Sequence, residues 1–156
     1  MIEIKKSNNA DTRTADKNAS LEDFKKANYS HINDVSRIME MLGNILIECG
    51  KMHDYTKKEH ELEEYNAFKE ALDNNKDFSK SSWYLMHVTT KRHHLFKHVP
   101  EDVNLIDVLE MTSDIIAAAL ARSNERITEL NLDNELLKKA LKNTIELINN
   151  NVKLID

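Results

Sequence analysis

A chain of 156 residues carries 22 Lys and Arg against 27 Asp and Glu, a formal net charge of −5 at pH 7. That length suits one ordinary domain, and the acidic balance argues against an extended nucleic-acid surface, which needs a basic stripe. With 40% hydrophobic residues but only two Gly and one Pro, the chain has few turn-forming positions and reads as all-α.

In chain order, residues 1–20 are polar, with Ile2 and Ile4 as the large apolar residues, and read as an N-terminal arm. The opening MIEIKKSNNA lacks the apolar stretch of a secretion signal. Ser20 followed by Asp23 marks a helix start. From His31 the apolar positions Val35, Ile38, Leu42, Ile45 and Cys49 recur at steps of three and four, an amphipathic helix with His31 on its core-facing stripe. Gly50 is expected to end or bend it, and Lys51-Met52-His53-Asp54 opens a second element. The lone Cys49 cannot form an internal disulfide; it reads as a small core side chain in a reduced, cytoplasmic protein.

Residues 59–72 repeat the helical pattern, with Leu62, Tyr65, Phe68 and Leu72 inward, and residues 73–77 read as a loop. Ser81 or Ser82 caps a helix carrying Trp83, Met86 and His87. Pro100 suits the start of a helix over residues 101–123. A last helix over about residues 134–152 has its stripe at Leu137, Leu141, Ile145, Ile148 and Val152. It packs on the same core, or it pairs with a second copy of the chain in a homo-oligomer. No apolar run approaches the roughly 20 residues of a membrane span, so no membrane partner is expected.

The chemistry lies in His31, His53-Asp54, His87, His93-His94 and Asp114, a series that uses five of the seven histidines. Imidazoles and carboxylates hold Mn, Fe, Co, Ni or Zn. Singly, each residue has a plainer reading: His31 alone is more often a satisfied core histidine, and His93-His94 could belong to a basic turn with Lys91 and Arg92. Jointly they predict a divalent transition-metal centre. Adjacent helical residues point about 100° apart, so the doublet suits a dinuclear site in which Asp54 bridges and His53 binds one ion. His93 and His94 are not distinguished as direct ligands.

Lys57 and Arg92 are the candidate catalytic cations that steady a substrate phosphate, Arg92 bidentately. Glu110 and Asp107 share a helical face with Asp114, and Glu110 is placed to orient a ligand histidine. His60 reads as surface, and His98 as an outer donor or an exposed residue. Two metals can hold a hydroxide and clamp a phosphoryl group. The expected activity is a metal-dependent phosphohydrolase acting through a metal-bound hydroxide on a nucleotide or other small phosphate ester.

The stretches Ala10-Asp11-Thr12-Arg13-Thr14-Ala15-Asp16, His31-Ile32-Asn33-Asp34-Val35, His53-Asp54-Tyr55-Thr56-Lys57 and Arg92-His93-His94-Leu95 resemble the DUF5662 family. Trp83, His87, Pro100-Glu101-Asp102-Val103-Asn104-Leu105, Glu110-Met111 and Asp114 extend the resemblance over most of the chain. That family comprises small proteins of unknown function, many of them phage- or bacterium-encoded. More distantly the ligand order is similar to the HD-domain superfamily. This resemblance implies a single-domain helical bundle of HD type over residues 21–156, built around one or two metals, with phosphoester hydrolysis as its chemistry. Lys57 matches the lysine that often follows the doublet. The double histidine resembles the branch that cleaves cyclic dinucleotides, but no GYP tripeptide is present and Ala27 stands where an acidic ligand is wanted. The family motif around Arg13 implies that the arm folds over the site and that Arg13 contacts substrate. Two alternatives stand beside hydrolysis: a di-iron oxygenase of HD fold, and a non-catalytic nucleotide- or protein-binding phage accessory protein.

Overall fold

A computed structural model describes residues 1–5 and 17–155. In order these form β1 (Ile2–Lys5), α1 (Leu21–Met52), α2 (Tyr55–Glu59), α3 (Glu61–Asp73), a 3-10 turn (Phe78–Lys80), α4 (Ser82–Thr90), α5 (Leu105–Ser123), α6 (Asn134–Asn151) and β2 (Val152–Ile155). The chain is mostly helical, as its composition predicts. Among the described residues, no helix is long and apolar enough to cross a membrane. The chain divides into two compact units, one of residues 1–47 with the segment from residue 144 on, the other of residues 48–143.

The first unit holds a two-stranded parallel sheet that the helical reading did not foresee. β1 pairs with β2, Ile2 opposite Val152 and Lys5 opposite Ile155, and the Arg37 guanidinium donates to the Glu3 carbonyl at 2.8 Å. The start of the arm is thus tied down by main-chain pairing. Arg13 and its motif lie outside the described residues. α6 stops one residue earlier than expected: after the Asn149-Asn150-Asn151 run, Val152 begins β2, where a β-branched side chain suits an extended backbone.

Local signals set the other boundaries. Ser20 and Asp23 exchange side-chain and main-chain hydrogen bonds at 3.1–3.2 Å, a capping box that starts α1. Gly50 does not end α1, which runs on to Met52; the break comes where Asp54 adopts a left-handed conformation, φ 50°. Ser81, of the two serines considered, caps α4 by accepting the Tyr84 N–H. α5 begins at Leu105 and not at Glu101. Asn104 accepts the Ile106 N–H at 2.8 Å and Asp107 reaches back to the Asn104 N–H at 2.8 Å, a stronger start signal than Pro100 supplies.

The second unit has its core at Leu95, Val103 and Met111, with Val108, Ile115, Leu132 and Leu136 packed against it. α6 is fastened there by Asn143, whose side-chain amide donates to the Glu101 and Val103 carbonyls at 3.1 and 2.8 Å. Its buried positions are the small Ala140 and Thr144, whereas Leu141 and Ile145 from the predicted stripe are half exposed. α3, the 3-10 turn and α4 meet around Phe78, which makes edge contacts with Phe68 and Tyr84 and stacks on Trp83. Met111 sits at the centre of the buried cluster on the helix that also carries Glu110 and Asp114. Met111→Ala should cost about 2–5 kcal/mol of stability by leaving a cavity, read as a lower urea midpoint with an unchanged slope.

Candidate metal centre

Asp54 determines how the His53-Asp54 doublet is presented. On a continuous helix the two side chains would diverge. The left-handed Asp54, φ 50° and ψ 22°, breaks the chain between α1 and α2 and lets both reach one cluster. Aspartate adopts this conformation more readily than most residues, but it still costs of order 1–2 kcal/mol. Such strain is found where a site requires it.

His87 comes from α4, His93 and His94 from the turn that follows it, and Asp114 from α5. Single ligand atoms of Asp54, His87, His93 and His94 all lie within 4.8 Å of one another, and so do those of His53, His93 and Asp114. Asp54 Oδ1 stands 3.3 Å from His87 Nε2 and 3.4 Å from His93 Nε2. Asp54 Oδ1 and the Nε2 atoms of His87, His93 and His94 are all buried and have no hydrogen-bond partner. Buried polar atoms without partners are rare, and each costs about 1–3 kcal/mol. Four such atoms facing one another form a group that could hold a metal ion. Ligands about 2.0–2.2 Å from one ion in tetrahedral array lie roughly 3.3–3.6 Å apart, so the 3.3 and 3.4 Å separations fit a cation.

Glu110 fixes which ring nitrogen faces inward. Its Oε1 lies 2.9 Å from His53 Nδ1 and 3.0 Å from His93 Nδ1, and its Oε2 accepts the Cys49 thiol at 3.0 Å. With the Nδ1 protons held by a carboxylate, Nε2 carries the lone pair a metal needs. His53 Nε2 is 3.7 Å from Asp54 Oδ2 and 3.6 Å from Asp114 Oδ1. Lys57 forms an ion pair with Asp54 Oδ2. Trp83 stacks on His87, ring centres 5.3 Å apart and planes within 9°, and holds that imidazole from behind.

The electrostatics suit uptake of a cation. Burial, aided by the Lys57 charge and neighbouring imidazoles, brings His87 down to about 4. Burial and the adjacent His93 lower His94. Both therefore favour the neutral form that ligates. His93 is opposite: burial would lower it, but the Glu110 hydrogen bond and charge raise it overall. Burial would also raise Glu110, yet the bonds from His93, Cys49 and His53 bring it to about 2. Burial works to raise Asp54 as well, and Lys57 chiefly holds it below the ordinary carboxylate value. Cys49 is pushed up to about 12 by burial and by Glu110, so it remains a thiol donor.

Residues 20–151 match DUF5662, a family of unknown function. The chain belongs to this family. No curated protein and no solved structure matches it.

In this DUF5662 chain, six of the seven predicted ligands come together: His53, Asp54, His87, His93, His94 and Asp114. His31 is in neither group; it is exposed on α1 and belongs to the other compact unit. Arg92, predicted to hold a substrate phosphate, is engaged by two aspartates. Its Nε and Nη2 pair with Asp107 at 2.7 and 2.8 Å, and its Nη1 and Nη2 reach the Asp102 carboxylate and carbonyl at 2.9 and 3.2 Å. A guanidinium so engaged braces the double-histidine turn against the start of α5. Lys57 is at the cluster, Arg13 lies outside the described residues, and His98 is exposed. Cys49 was read from sequence only as core. A signal for its role existed in no local pattern, because its partner Glu110 is 61 residues away.

Two outcomes follow for the DUF5662 site. Glu110→Gln should weaken binding of Zn²⁺ or Mn²⁺ by roughly 10- to 100-fold, measured by isothermal titration, with the fold retained by circular dichroism. In metal-free protein, His87 has its folded value near 4 against an ordinary value of about 6.5. The unfolded chain therefore takes up the proton first, and the His87 contribution is lost as pH falls from about 6.5 to about 4. The stability of wild type relative to His87→Phe should decline across that window in urea titrations.

Proposed function

We propose that this protein is a metal-dependent phosphohydrolase of HD type acting on a nucleotide or other small phosphate ester. The observation that carries the reading is the convergence of four buried, unpartnered ligand atoms from Asp54, His87, His93 and His94. Together with His53 and Asp114 they make a mixed imidazole and carboxylate shell. That donor set fits Mn, Fe, Co, Ni or Zn better than Mg or Ca. Asp54 would offer a ligand oxygen to either side of the cluster, because Oδ1 faces His87 and His93 while Oδ2 faces His53. When bound, such ions supply Lewis-acid charge to a phosphoryl group and let water act as nucleophile near neutral pH.

The chain's own residues do the rest. Glu110 holds the outer protons of His53 and His93, so their inner nitrogens stay free. Asp54 and Asp114 bring negative charge that favours a divalent cation. Lys57, now paired with Asp54, is within a turn of the cluster and can shift its ammonium to a substrate phosphate oxygen. No Ser or Cys nucleophile is required; Cys49 is a protonated structural donor.

Elemental analysis of untagged protein, followed by phosphate release from a nucleotide panel with Mn²⁺, Co²⁺ and Ni²⁺, tests the proposal. Stoichiometric transition metal and metal-dependent release are expected. Asp54→Asn should lower turnover by more than the roughly 100-fold cost of losing an outer partner. Protein that takes up none of these metals would overturn the reading. Oxygen consumption by iron-loaded protein without phosphate release would replace it with oxygenase chemistry.

A further inference from the structure

Beside the metal cluster, a cavity of about 540 Å³ opens within the second unit. At one end it is lined by His87, His94 and Asp114, with Lys57 beside them. Phe78 and Tyr84 form an apolar wall. Trp83 contributes to the same wall, but its faces are covered by Phe78 and His87, so it shapes the cavity and offers no free stacking face. The opposite wall is one face of α5: Asp114, Ala118 and Arg122 follow at intervals of four and share that face.

The cavity contains two cations, Lys57 and Arg122. Lys57 is paired with Asp54. Arg122 has no hydrogen-bond or ion-pair partner among the described residues, and it is exposed. An arginine in the last turn of a helix gains a little from the helix dipole wherever it points. Arg122 differs from such a residue in lining a cavity whose other end is the ligand cluster. Two helical turns separate it from Asp114, about 12 Å along the axis. Glu64 adds a carboxyl to the lining; burial raises its pKa, which reduces the cost of neutralising it when an anion enters.

We propose that this cavity is the substrate pocket and that Arg122 is a specificity residue for substrates bearing a second anionic group, roughly 12 Å from the phosphate held at the metal cluster. The inference rests on the phosphohydrolase reading and adds to it a substrate class: a phosphate ester with an apolar or planar body and a remote phosphate or carboxylate. The Arg122 fork suits either anion, and the body lies along Phe78, Tyr84 and Ala118. A substrate with a single phosphate fills the metal end and leaves Arg122 without a partner.

Trp83 is the single tryptophan and lines the cavity, so its fluorescence reports occupancy independently of turnover. Wild type and Arg122→Gln are titrated with 1,6-hexanediol bisphosphate, whose two phosphates can span that separation across an apolar body, and with hexyl monophosphate, with and without Mn²⁺, and read within seconds of mixing. Wild type should bind the bisphosphate about tenfold more tightly than the monophosphate. The variant should bind the two alike while its Mn²⁺ affinity stays that of wild type. A wild type without preference, or a preference that persists in the variant, overturns the proposal. 7-(Phosphonooxy)heptanoate keeps the apolar body and replaces the second phosphate by a carboxylate; tighter binding of one of these ligands identifies which anion Arg122 prefers. Failure of the metal reading shows separately as absent Mn²⁺ uptake by wild type, and the metal-free titration still decides the role of Arg122.

Discussion

The carboxylate of Glu110 gathers three groups that the chain delivers from different places. One oxygen takes the Nδ1 sides of His53 and His93, and the other takes the Cys49 thiol. A buried carboxylate has several lone-pair sites to fill, and here protein donors fill both oxygens. That arrangement orients two imidazoles, sets the nitrogen each presents, and ties the end of α1 to α5 through the double-histidine turn. Without it, His53 and His93 could rotate or change tautomer, and their Nε2 atoms would have no reason to face Asp54 and Asp114.

Around this anchor the structure accepts costs that a stability-driven core would avoid. Asp54 is held in a left-handed conformation, and four ligand atoms are buried without hydrogen-bond partners. The surrounding packing makes those costs tolerable: Trp83 backs His87, and the Leu95, Val103 and Met111 cluster supports the helix that carries Glu110 and Asp114. A bound cation would relieve the orphaned atoms and offset part of the strain, which would couple its uptake to folding.

Arg92 shows how much the surroundings of an arginine depend on contacts its neighbours in sequence do not reveal. Beside His93 it looks like a phosphate clamp. In the fold its fork meets Asp107, a buried carboxylate that also closes the capping box of α5. The bidentate geometry that suits phosphate suits a carboxylate equally, and the nearest correctly oriented acid took it. Arg122 is the converse: it stands far from any histidine in sequence and gains its interest from the cavity two helical turns along α5.

The sequence alone determined the helical class, because period-three-and-four apolar spacing and scarce Gly and Pro are local properties. Residue identity was also enough to single out His53, Asp54, His87, His93, His94 and Asp114, which the fold brings into two overlapping groups. It could not decide which positions on a stripe are covered, since that depends on the partner face; hence His31 is exposed, and Leu141 and Ile145 are half exposed while Ala140 and Thr144 are buried. Nor could it foresee the pairing of β1 with β2, two four-residue strands at opposite ends of the chain whose signal lies in long-range hydrogen bonds. Tertiary structure alone decided that Cys49 and Glu110 meet and that Arg92 braces a turn. Each of these contacts joins residues separated along the chain, where no local periodicity records the encounter.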